Sequence, residues 1–201
     1  IPGHANTMPA RDLDAARELL RVEGYTEAVK LPITLWYVND GRYSANEEAY
    51  AVAIKSQLEE TGVFQVELAG AGWDEIRLQI SQCGLPAYLL GWPSPGQPTS
   101  YLDVSSWTDF FVINTDRVFC SNYESERMTD LVAEARAEVE EGPRLELYGR
   151  IQTLWAKELP TLPLTQEPRW AVSLPTIDGV RIDALGLMHY EWLTKADGSE
   201  Q

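Results

Sequence analysis

Three short apolar runs, "LPITLWYV" (31–38), "VFQVEL" (63–68) and "AYLLGW" (87–92), are separated by two stretches, each long enough for a single helix. That order constrains the fold more than any other feature. A strand–helix–strand–helix–strand chain closes its hydrophobic faces when crossover helices cover the sheet. The first intervening stretch opens Ser44-Ala45-Asn46-Glu47, the spacing of a capping box, and places Tyr50, Ile54 and Leu58 four apart before Gly62. The second, "WDEIRLQIS" (73–81), reads as a helix with Ile76 and Ile80 facing in, although its alternation also fits a strand. The expected class is α/β, a mixed sheet flanked by helices.

Helical signals flank this unit. Asp12 can cap a helix whose apolar face is Ala16, Leu19 and Leu20, with Gly24 as its stop. A later helix from Ser125 to about Val139 places Met128, Leu131, Val132, Ala135 and Val139 on one stripe. Another starts at Pro143 and carries Leu147, Tyr148, Ile151, Leu154, Trp155 and Leu159 before Pro160. "RWAVSL" (169–174) is a further strand candidate. No internal repeat or low-complexity linker divides the chain, which reads as one lobe.

Charge excludes whole classes of partner. The 201 residues carry a formal net charge of −15 and no Lys/Arg cluster, so nucleic acid is not an expected partner. No run of eighteen apolar residues offers a membrane span. Cys83 and Cys120 could bridge or stay as two buried thiols. The start Ile1-Pro2-Gly3 suggests a processed piece of a longer product.

Catalytic motifs are missing: there is no G-x-S-x-G, P-loop, G-x-G-x-x-G or H-E-x-x-H. The pairs Glu47/Glu48, Glu59/Glu60 and Glu140/Glu141 fall on expected helix ends or solvent faces, where they do not converge as glycosidase-type carboxylates must. His189 with Glu191 or Asp183 is too sparse a metal set, and Asn39-Asp40-Gly41 marks a turn after a strand. The distinctive feature is aromatic. Most of the tryptophans read as core, but Trp92 ends a strand where an open α/β sheet places its ligand crevice. It either stacks on a ligand or plugs the end of the sheet.

The order of motifs resembles the C-terminal lobe of family 5 extracellular solute-binding proteins, the oligopeptide/dipeptide/nickel class serving ABC importers. "RDLDAARELLRVEGY" is similar to the family's D-x-x-x-A-x-x-L-L-x-x-x-G-Y/F helix, and "ANEEAYAVAIKSQLEETGVFQVEL" to its helix-plus-strand unit. "AYLLGW" matches the strand ending in Gly-Trp. "NYESERMTDLVAEA" and "RLELYGRIQTLWAKELPTLPL" resemble the two helices that follow. The resemblance covers nearly the whole chain. It implies a type II periplasmic-binding-protein-like lobe over residues 10–190, with 1–9 and 191–201 as connectors toward an N-terminal lobe. It implies a non-catalytic monomer without cofactor, periplasmic or extracellular and open to membrane anchoring. Such a protein captures a small-molecule or oligomeric solute and docks on an ABC permease.

In peptide-binding relatives the Gly-Trp strand end lines the cleft, and an aspartate a few residues on pairs with the peptide ammonium. Here Pro93 follows Trp92, and Ser94-Pro95-Gly96-Gln97 carries no carboxylate. Removing one partner of a buried ion pair costs about 3–5 kcal/mol. A neutral oligosaccharide stacked on Trp92, over Pro93 and hydrogen-bonded by Ser94 and Gln97, therefore stands beside peptide as the expected solute. Tyr101 and Asn122 complete the set, with a helix start and a turn before Ser125 as their structural alternatives. Two rivals remain: a stand-alone acidic protein-interaction domain, and a hydrolase of unknown class.

Overall fold

The computed structural model describes residues 8–91, 108, 119, 123–165, 170–183 and 187–195. In chain order the elements are α1 (Leu13–Val22), β1 (Leu31–Val38), α2 (Glu47–Glu59), β2 (Phe64–Ala71), α3 (Trp73–Ser81) and β3 (Ala87–Tyr88). Then come α4 (Glu126–Ala137), α5 (Glu141–Glu158), β4 (Ile177–Asp178), a 3-10 turn (Tyr190–Trp192) and β5 (Thr194–Lys195).

β1 lies between β2 and β3, parallel to both, in the order β2-β1-β3. A parallel centre strand is covered on both faces, so its residues are apolar on alternate and intervening positions alike. Leu35 and Tyr37, with Val66 and Leu89, pack on Ala51, Tyr50, Ile54 and Leu58 of α2. On the other face Val38 and Ala71 meet Ile76 and Ile80 of α3. The helical reading of 73–81 therefore holds, and the burial of Ile76 and Ile80 explains why. Among the described residues only the C-terminal half of that second face is covered, and Pro32, Gln65 and Glu67 are exposed.

Helix ends follow side-chain chemistry. The Asp12 carboxylate accepts from the Asp14 and Ala15 amides at 3.1 and 3.0 Å. At the other end of α1 Gly24 takes φ +89°, with Tyr25 N–H donating to Leu20 O and Gly24 N–H to Arg21 O, a Schellman stop. α3 ends the same way at Cys83, φ +56°, with Gly84 N–H donating to Gln79 O. A left-handed non-glycine is uncommon, and this one is disulfide-bonded. Cys120, the other cysteine in the sequence, lies outside the described residues.

Several expectations need correction. Ser44 does not open α2: its hydroxyl accepts from Asn46 N–H at 3.0 Å, and Asn46 is the N-cap, without a side-chain cap bond. The Leu19 face of α1 is 70% exposed at Leu19, because the helix is fastened by polar contacts instead. Arg17 donates to the Thr61 and Glu60 carbonyls at the end of α2, at 3.0 and 3.2 Å. β2 runs on to Ala71, past the expected 68, because β1 offers a partner along all its length. β3 has only two residues, although Leu89 N–H still donates to Trp36 O at 2.8 Å. Residues 170–174 form no strand; Trp170 and Val172 are exposed there, so Trp170 is not core. Val139 lies beyond the end of α4 and is exposed, and Leu159 turns left-handed out of α5 at φ +47°.

α4 and α5 form an antiparallel pair with their own core of Met128, Leu131, Val132, Ala135, Tyr148, Ile151 and Leu154. Ser125 caps α4 as expected, accepting from Met128 N–H at 3.3 Å. β4 and β5 make a small antiparallel sheet near the chain's end.

Candidate functional site

Parallel strands deliver all their C-terminal ends to one edge, where ligand crevices form. Here that edge gathers Asp40 and Arg42 after β1, Trp73 after β2 and Gly91 after β3. The Asn39-Asp40-Gly41 turn forms as expected, with Gly41 at φ +78°. Its carboxylate does more than shape the turn. One Asp40 oxygen accepts from Arg42 N–H at 3.1 Å and the other from Trp73 N–H at 2.8 Å.

Arg42 lies against two rings. Its guanidinium carbon lies 4.6 Å from the Trp73 ring centroid and 5.7 Å from that of Tyr43. The two rings meet edge to face at 5.9 Å and 82°. Burial raises the Tyr43 phenol above its ordinary pKa, with Arg42 pulling the other way. Gly91 completes the corner. A β-carbon there would fall 2.3 Å from Tyr43 Cδ1, so the ring packs on the bare Cα. Among the described residues no carboxylate lies within ion-pair distance of the Arg42 guanidinium. In a chain of net charge −15, that leaves an exposed cation on an aromatic shelf.

Trp92, Pro93, Ser94, Gln97, Tyr101 and Asn122 all lie outside the described residues. The structure thus builds the corner from residues the sequence reading did not select. A signal was present: the crevice rule applied to β3 applies equally to β1 and β2, and Arg42-Tyr43 and Trp73 follow those strands directly.

The carboxylate sets serve other ends. Glu59 accepts from Lys55 and from Val66 N–H at 2.8 and 3.0 Å, which lowers its pKa. Glu60 turns away to Arg11. The two therefore diverge and make no acid/base pair. His189 sits between two acids, its Nδ1 2.7 Å from Glu191 and its Nε2 3.0 Å from Asp183. Ring nitrogens point apart, so these acids cannot converge on one ion. Among the described residues no group of three or more His, Cys, Asp or Glu could hold a metal. Nor is any described helix long and apolar enough to cross a membrane.

No protein-family model matches the sequence. The di/tripeptide-binding protein 1 of Pseudomonas aeruginosa (strain UCBPP-PA14) is 26% identical over 175 residues, covering 86% of this chain and 31% of that protein. The dipeptide-binding protein of Pseudoalteromonas sp. SM9913, solved with Met-Leu, superposes with a TM-score of 0.70 at 20% identity. That match covers 94% of this chain and 37% of the other. OppA of Burkholderia pseudomallei gives a TM-score of 0.66 at 21% identity, over 83% and 31%. The chain thus spans about a third of the length of the relatives it matches. Its fold is that of a type II periplasmic-binding-protein-like lobe, and the resemblance read from the motifs agrees with these relatives in sequence and in fold.

Proposed function

We propose that this chain is the C-terminal lobe of a non-catalytic solute-binding protein for an ABC importer, acting outside the cytoplasmic membrane, and that its solute is a short peptide held by its carboxylate end. The observation carrying the ligand class is Arg42 stacked on Trp73 at the C-terminal edge of the sheet. An exposed guanidinium with no carboxylate partner among the described residues matches a carboxylate in a fork. A neutral sugar has no need of that cation, so peptide is favoured over oligosaccharide. The named relatives that bind di- and tripeptides support the same class.

In this reading the lobe spans 10–190, with 1–9 and 191–201 leading toward a second lobe that closes over the ligand. Trp92, Pro93, Ser94 and Gln97, with Tyr101 and Asn122, are the proposed further ligand contacts. The partner in the membrane is an ABC permease.

The test is a thermal-shift panel on the two-lobed protein: dipeptides, the same dipeptides as C-terminal amides, and oligosaccharides. A ligand at about a hundred times its Kd adds roughly 2.7 kcal/mol, a shift of several degrees. Free-acid dipeptides are expected to shift the melting temperature, amides less, and sugars not at all. Stabilisation by sugars alone would overturn the peptide assignment. In Arg42→Ala the difference between acid and amide should vanish.

A further inference from the structure

We infer that Asp40 is a positioning residue for the anion anchor: its one carboxylate ties the Arg42 turn to the first residue of α3, setting the guanidinium over the Trp73 ring. This rests on the reading of Arg42 as the ligand's carboxylate anchor.

α3 begins without a cap of its own. Its N-cap is Gly72, which has no side chain to accept from the orphan amides of the first turn. Asp40, 33 residues earlier than Trp73, supplies the acceptor. Its other oxygen takes the Arg42 amide. The two oxygens of a carboxylate are only about 2.2 Å apart, so two segments distant in sequence are held in one fixed relation. Asp40 makes no ion pair with the Arg42 guanidinium, and both of its oxygens accept from backbone amides. A local capping residue at position 72 would stabilise α3 equally well and would leave Arg42 untied. Space for one exists, because a β-carbon at Gly72 meets nothing closer than Asp40 Oδ2 at 3.8 Å, and its φ of −68° suits any residue. The remote acid therefore accomplishes something a local cap cannot.

That difference supplies the experiment. Dipeptide and dipeptide-amide affinities are measured for the two-lobed protein carrying Asp40→Ala, and Asp40→Ala with Gly72→Ser. Both are compared with wild type and Arg42→Ala. Asp40→Ala is expected to lower the melting temperature and to cut the acid-over-amide preference about tenfold, the scale of one charged hydrogen bond. Adding Gly72→Ser should restore the melting temperature and leave the preference lost. If the preference returns together with stability, Asp40 is a helix cap and the inference is overturned. If wild type shows no preference for the free acid, the Arg42 reading itself fails, and this one with it. If Arg42→Ala abolishes the preference but both Asp40 variants keep it, only the positioning role is refuted.

Discussion

Two places in the molecule use the same three parts, a cation, an indole and a carboxylate, and wire them in opposite ways. At the sheet's C-terminal corner Arg42 lies on Trp73, and Asp40 gives both oxygens to backbone amides. Near the chain's end His189 stacks on Trp192, with centroids 4.0 Å apart and planes at 15°, and there Asp183 and Glu191 address the ring itself. The first arrangement leaves its cation without a carboxylate partner among the described residues. The second satisfies its cation internally and fastens the chain. Composition does not separate a binding corner from a structural clasp. The destination of the carboxylate lone pairs does.

The largest effect should come from closing the space that lets the corner assemble. Gly91→Ala puts a β-carbon on Tyr43, so the ring must leave Trp73 or the backbone must shift. Overpacking of this kind costs about 1–3 kcal/mol. Urea unfolding of the single and double variants gives the answer. If Tyr43 is the obstacle, Gly91→Ala with Tyr43→Ala should be no less stable than Tyr43→Ala alone. Simple addition of the two costs would show that the ring is not what position 91 excludes.

A smaller effect separates the shelf from the charge. Trp73→Leu keeps an apolar residue at the start of α3 and removes the indole under Arg42, a contact of about 0.5–1 kcal/mol at an exposed site. In the two-lobed protein peptide affinity should fall severalfold, with Arg42→Lys giving a comparable loss because ammonium lacks the planar fork. An unchanged affinity in Trp73→Leu would mean that the indole does not prepare the cation.

How far the sequence foretold these places depends on the length scale of the signal. β1 was legible in full at 31–38, and Tyr50, Ile54 and Leu58 of α2 and Ile76 and Ile80 of α3 were read as facing in, though Ala51, the buried residue of α2, was not. The Asp12 and Ser125 caps were legible because their partners lie within three residues. The Asp40 cap was not, because its second partner is 33 residues away and only strand register brings them together. Arg42 and Trp73 were open to the crevice rule one by one, but their contact with each other was not. Apolar character misled where nothing in the described lobe covers it, at Leu19, Val139 and residues 170–174. His189, Asp183 and Glu191 were singled out together as an insufficient metal set, and their geometry shows each acid within hydrogen-bond distance of a different ring nitrogen.

The smallest effect belongs to that second arrangement, and its sign follows from proton counting. Ionised carboxylates only accept hydrogen bonds, so both His189 nitrogens must carry protons to satisfy Glu191 and Asp183 at once. The Glu191 hydrogen bond first, and the Asp183 one second, raise the His189 pKa above its ordinary value. A histidine whose folded pKa exceeds its unfolded one, near about 6.5, contributes stability that is fully present below the unfolded value. That contribution is lost as pH rises through the folded pKa. The gain is local and small, because the groups are part-exposed and salt screens them. NMR titration should place His189 above its unfolded value, with Asp183→Asn bringing it down. Exchange of the Leu187 amide, which Asp183 also accepts at 2.9 Å, should speed up beyond the intrinsic pH dependence as His189 deprotonates. His189→Gln should abolish that extra step and leave peptide affinity at the Arg42 corner unchanged. A change in affinity would mean that the two arrangements are coupled, and the contrast between an open cation and a satisfied one would fail.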